Sequence, residues 1–143
     1  MSQNMLNDIA EDFELLQDWE QRYQYLVELG EQLPAMPESE KTQENRVIPC
    51  MSKVWVYAYP DPEKPERILF HGDCDTAIIK GVVALLVQIF SGKTADEIRQ
   101  VDIDSLFERI QLAENLSPNR HVGIYAIVEK MREQVEKLSA SRR

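Results

Sequence analysis

Apolar positions along the chain change their period several times, and each change marks an element. Leu6, Ile9, Phe13 and Leu16 recur every three or four residues, the spacing that places side chains on one face of an α-helix. Asp18 is suited to accept from the open amides of a second helix, in which Trp19, Tyr23, Leu26 and Val27 keep that spacing until Gly30. From Leu33 to Asn45 the period disappears, and Pro34, Pro37 and many polar residues predict a surface loop.

Period two appears between Lys53 and Tyr59. Val54, Val56 and Ala58 alternate with Trp55, Tyr57 and Tyr59, a Val- and aromatic-rich pattern that predicts a strand. Pro60, Pro62 and Pro65 interrupt it before a second strand expected at Arg67 to His71. So short a connection pairs two strands antiparallel. Asn45 to Ile48 is expected to add a short third strand.

The strongest apolar run, Gly81 to Gly92, belongs to a helix expected from Thr76 to Ser91, with Asp75 as its N-cap and Gly92 just beyond its end. Ile78, Ile79, Val82, Val83, Leu85, Leu86, Ile89 and Phe90 cover most of its circumference, leaving Lys80, Ala84 and Gln88 as a narrow stripe. Such a helix belongs at the centre of a core. The run is shorter than the ~20 residues of a membrane span.

Thr94 and Glu97 form a capping box for a short helix, and another is expected near Ser105 to Ile110. Ser117 caps and Pro118 opens the last helix, in which Val122, Tyr125, Val128, Met131, Val135 and Leu138 line one face. Helices, then a small sheet, then helices predict an α+β fold: a small three-stranded antiparallel sheet packed against several helices. Its 143 residues suit one domain spanning 1–143.

Charge narrows the partners. A formal net charge of −9 leaves no basic stripe for phosphates, so nucleic acid is not an expected partner, and neither is a membrane. The N-terminal stretch carries Asp8, Glu11 and Asp12 and lacks the pattern of a signal peptide, which predicts a cytoplasmic protein. In a reducing compartment Cys50 and Cys74 are not expected to form a structural disulfide.

Cys50 lies in Arg46-Val-Ile-Pro-Cys-Met-Ser52, a hinge between the polar loop and the best strand. Pro49 fixes its own φ and holds Ile48 extended, stiffening that hinge. A thiolate held there by scaffold, yet within reach of another protein, can attack a sulfur–sulfur bond. An inert core thiol is the alternative that local sequence leaves open. Cys74, in His71-Gly-Asp-Cys-Asp75, reads as a residue at the start of the core helix, whose N-terminus could stabilise a thiolate; a helix cap with an incidental cysteine is the plainer reading. His71, Cys74, Cys50 and Asp75 match none of the usual zinc spacings, so no metal is expected. Arg120 sits in the first turn of its helix, where a cation opposes the dipole and calls for a partner such as a carboxylate or thiolate; a solvated surface arginine is the plainer reading. His121 reads as surface or core filler.

These blocks together resemble the SufE-like sulfur acceptors of iron–sulfur cluster assembly. The resemblance runs through Trp19-Glu-Gln-Arg-Tyr23, Leu29-Gly30, Leu33-Pro34, Asn45 to Cys50 and Ser52-Lys-Val-Trp55. It continues through Gly72-Asp-Cys-Asp75, Ile79-Lys-Gly81, Ser91-Gly-Lys-Thr94, Leu116-Ser-Pro-Asn-Arg120 and Gly123. It implies a SufE/IscU-like fold, with Cys50 as the persulfide-forming catalytic residue and Asp75 and Arg120 as supporting polar residues.

It also implies a covalent carrier of the sulfurtransferase type. A cysteine desulfurase (SufS/CsdA-like) would supply the sulfur and an iron–sulfur scaffold would receive it, with self-association as a homodimer left open. The chain itself would need no cofactor, the pyridoxal phosphate residing on the desulfurase. Met51, Val47 and Ile48 are expected to shelter a Cys50 persulfide. An activator that carries no sulfur, or an IscU-like metal or cluster scaffold, are the rival readings. Two departures from the family stand out: Pro49 where glycine is usual, which should restrict the cysteine loop, and Cys74 where a non-thiol is usual, which, if close to Cys50, would allow a disulfide or a second sulfur-bearing site.

Overall fold

The period-two segment is strand β1, Val54–Pro60, and it pairs antiparallel with β2, Arg67–Cys74, in a register that sets Val54 against Cys74 and Pro60 against Ile68. The computed structural model describes residues 2–16, 18–48, 53–112 and 118–141, without the side chains of 2–6, 118–121 and 141. The third strand, β3, is Lys93–Thr94, which pairs antiparallel with Arg67 and Ile68. The expected three-stranded antiparallel sheet is therefore present, with its third strand in a different place. Asn45 to Ile48 contributes a single bridge, Arg46 to Trp55, on the other side of β1.

Alternation sorts the two long strands into faces. Val54, Val56, Ala58, Ile68, Phe70 and Cys74 are buried, whereas Trp55, Tyr57, Tyr59, Leu69, His71 and Asp73 are half-buried on the outer face. Helix α3, Ala77–Phe90, packs on the buried face with Val82, Val83, Leu85, Leu86, Ile89 and Phe90 all in the core. Helix α2, Trp19–Glu31, crosses α3 so closely that a Cβ on Gly81 would lie 2.1 Å from the Leu26 carbonyl oxygen. Asp18 caps α2 as the sequence predicts, accepting from the Gln21 N–H.

Helix α1, Ser2–Leu15, packs against α3 and against α5, Ile103–Arg109. The capping box of α4, Ala95–Gln100, is formed by Thr94 and Glu97 as expected. Helix α6, Pro118–Ser141, runs beside β1. There the Gln134 amide accepts from Ala58 N–H at 3.0 Å and donates to Val56 C=O at 2.8 Å, filling the place of a neighbouring strand's peptide group.

Four expectations shift. β2 runs three residues past His71, because Gly72 lets Val83 approach where a Cβ would stand only 2.6 Å from its Cγ1. The core helix begins at Ala77 with Thr76 as N-cap, so Asp75 is not the cap. Among the described residues of α6 the buried apolar side chains are Ile124, Ile127, Val128, Met131 and Val135, a stripe of period 3.6, and Val122 is 56% exposed. The short helix expected near Ser105 starts at Ile103, with Asp102 accepting from Ser105 N–H. Ser117, read as a cap, lies outside the described residues.

Candidate functional site

The feet of the cysteine-bearing connection are fixed by backbone pairing. Val47 N–H donates to Val54 C=O at 2.9 Å, and Val56 N–H donates to Asn45 C=O at 3.1 Å. The Arg46–Trp55 bridge lies between these bonds. Residues 48–53 are thereby a short connection whose ends are held beside each other. Cys50, Pro49, Met51 and Ser52 lie outside the described residues, as does the side chain of Arg120, whose backbone is in the first turn of α6.

Lys53 is where the connection rejoins the sheet. Its C=O accepts from Asp75 N–H at 3.1 Å, extending the β1–β2 ladder by one step. The return bond comes from a side chain, since Lys53 N–H donates to Asp75 Oδ1 at 3.0 Å. Thr76 Oγ1 donates to the same oxygen at 3.3 Å. Asp75, exposed and outside the helix, therefore fastens the C-terminal foot of the connection three residues after Cys50. The sequence offers the carboxylate, but not its partner, because the two residues are brought together only by the β1–β2 register.

On the other foot, alternation separates two aliphatic neighbours. Val47 is 1% exposed and belongs to the core, whereas Ile48 is 66% exposed. Of the residues expected to shelter Cys50, Val47 is buried in the core, Met51 is outside the described residues, and Ile48 faces solvent. The Val47–Val54 hydrogen bond enforces this arrangement, since turning Ile48 inward would drive Val47 out.

Cys74 is the last residue of β2 and is buried, not a residue of the helix start. Its Sγ accepts from Thr76 N–H at 3.4 Å, and its own N–H donates to Asp73 Oδ1 at 2.8 Å. His71 lies on the opposite face of the same strand, so the two side chains diverge. His71 Nδ1 meets Glu40 Oε1 at 2.7 Å and Nε2 meets the Tyr59 hydroxyl at 3.0 Å. Burial, then the charges of Glu40 and Asp61, push the Tyr59 hydroxyl above its ordinary pKa. Among the described residues no group of three or more His, Cys, Asp or Glu side chains converges to hold a metal ion.

Beside Asp75, the outer face carries an ion cluster. Asp73 Oδ2 meets Lys41 Nζ at 2.8 Å and its Oδ1 lies 3.5 Å from Lys80 Nζ, while Lys41 sits 5.5 Å over the Trp55 ring. Burial pushes the Asp73 carboxyl up, but the Lys41 hydrogen bond, the Cys74 N–H and the charges of Lys41 and Lys80 outweigh it, so Asp73 titrates below the usual aspartate range. The cluster ties the loop before the cysteine, which holds Lys41, to β2 and to the first turn of α3.

Residues 7–135 match the model of the SufE family, described as an Fe-S metabolism associated domain. The chain is 41% identical over 138 residues to an uncharacterised SufE-like protein of Rhizobium etli, covering 95% of this chain and 93% of that one. An uncharacterised SufE-like protein of Rhizobium meliloti is 41% identical over 133 residues, covering 92% and 94%. The solution structure of a hypothetical protein from Thermus thermophilus shares the fold with a TM-score of 0.75 at 22% identity, over 95% of this chain and 96% of that one. No helix among the described residues is long and apolar enough to cross a membrane.

Proposed function

The chain belongs to the SufE family, associated with Fe–S metabolism, and on that premise we propose that it is a sulfur carrier whose acceptor is Cys50. The observation that carries this reading is the fastened connection: backbone pairing holds one foot, and Asp75 holds the other. A thiol borne on such a connection stays near a fixed position while remaining within reach of a second protein.

A cysteine desulfurase presents a persulfide, R–S–SH, on its own cysteine. The Cys50 thiolate attacks the outer sulfur, the donor's sulfur–sulfur bond breaks, and the donor cysteine leaves as thiolate. Cys50 then carries the S–SH group, and no net oxidation or reduction has occurred. A thiolate of an iron–sulfur scaffold repeats the displacement on Cys50 and restores it. Asp75 acts here as a positioning residue through Lys53. Arg120 is read as the cation that steadies the sulfur anion, and Cys74 as a second, buried thiol.

Intact-protein mass after incubation with a pyridoxal-phosphate cysteine desulfurase and cysteine tests this. The expected result is one added sulfur atom, lost in Cys50→Ser. Retention of that increment in Cys50→Ser overturns the assignment. Undiminished stimulation of desulfurase turnover by Cys50→Ser, with a small thiol as acceptor, would instead favour an activator that carries no sulfur.

A further inference from the structure

The proposed reading assigns Cys50 its chemistry but says nothing of how a donor finds it. Transfer requires the donor's outer sulfur to come within bonding distance of the Cys50 sulfur, about 2 Å. Two proteins that meet specifically bury about 800 Å² on each side, a patch of about 16 Å radius. Consecutive Cα atoms are about 3.8 Å apart, so Ile48 lies within about 7.6 Å of Cys50 whatever the path between them. A footprint of that size around Cys50 reaches Ile48.

Ile48 is an unusual residue to leave at such a place. It is aliphatic and 66% exposed, with the core residue Val47 before it. Val47 N–H is bonded to Val54 C=O and the next residue back is bridged to Trp55, so Ile48 cannot withdraw into the core without breaking the stem. Apolar surface held in water by its own scaffold, inside a footprint that a partner has to occupy, is surface that binding removes from water.

We infer that Ile48 is a docking anchor, seated during transfer in an apolar recess of the persulfide-presenting protein beside its cysteine. The inference rests on Cys50 being the acceptor. It assigns Ile48 to binding and not to the displacement itself, so its contribution appears in the concentration dependence of transfer. A charge at this position would have to be dehydrated on docking, whereas an unbranched apolar side chain would still fill the recess.

The test measures sulfur loading of Cys50 by mass against the concentration of a cysteine desulfurase supplied with cysteine, for the native chain, Ile48→Asp and Ile48→Met. A parallel series loads the same proteins with inorganic polysulfide, which needs no docking surface. Ile48→Asp is expected to raise the half-saturating concentration about tenfold or more, with the saturating rate and polysulfide loading within about twofold of native. Ile48→Met is expected to stay close to native. An unchanged half-saturating concentration in Ile48→Asp overturns the inference, and so does an equal loss of polysulfide loading, which would show a disturbed thiol. If the native protein loads no sulfur at Cys50, the carrier reading itself fails and the anchor falls with it, a result distinct from either.

Discussion

Asp75 and Lys53 hold each other twice, once through backbone and once through a side chain: Asp75 N–H reaches Lys53 C=O at 3.1 Å, and Lys53 N–H reaches Asp75 Oδ1 at 3.0 Å. Removing the carboxylate leaves the Lys53 amide to solvent. Asp75→Ala is expected to cost about 1 kcal/mol and to speed hydrogen exchange at Lys53 about fivefold or more. Asp75→Asn keeps an acceptor oxygen and should exchange nearly as slowly as the native chain. Equal exchange in all three proteins would show that the carboxylate does not fasten the connection.

Gly81 is fixed by contact and not by conformation. A Cβ there would stand 2.1 Å from the Leu26 carbonyl oxygen and 2.5 Å from its carbon, both backbone atoms that move only with helix α2. Gly81→Ala is expected to cost about 3 kcal/mol or more, read from the urea midpoint. At Gly30 the corresponding Cβ meets Gly81 N at 3.0 Å, so Gly30→Ala should cost distinctly less.

Gln134 is held to the edge of β1 by two bonds, one accepted and one donated. Gln134→Leu keeps the volume and removes both partners. The expected loss is about 1–3 kcal/mol in chemical denaturation, with faster amide exchange at Ala58 as the local signature. A variant as stable as the native chain would mean that water serves these groups equally well.

Asp73 supplies a pH dependence whose sign follows from its environment. Its folded pKa lies below the unfolded value, so its contribution to stability is complete above the ordinary aspartate range of about 4 and is lost as pH falls through the depressed value. Lys41→Met removes the nearest ammonium, and the Asp73 carboxyl should then titrate higher, by NMR, than in the native chain. The slope of stability against pH below about 4 should flatten in the same variant. An unmoved Asp73 titration would assign the depression to Cys74 N–H and Lys80.

Much of the architecture is written in local pattern. Alternation from Val54 to Ala58, the Asp18 cap and the Thr94–Glu97 box each depend on residues within four positions, and each is read directly. Several of the misplacements involve distant partners. Gly72 and Asp73 fall beyond the strand expected at Arg67 to His71, yet they continue β2 because α3 needs the space over Gly72. Asp75 has the chemistry of a cap and is taken instead by Lys53, 22 residues away in sequence. Lys93–Thr94 carries too little pattern to reveal a strand of two residues. Around Cys50, the sequence offers the thiol and the aspartate as candidates, while the exposure of Ile48 emerges only once Val47 is pinned beneath it.

The amide of Gln134 has one more consequence. A bare strand margin is a template on which separate molecules can zip into a shared ribbon. Gln134, borne on α6, occupies part of the margin of β1 and denies that stretch to the strand of another molecule.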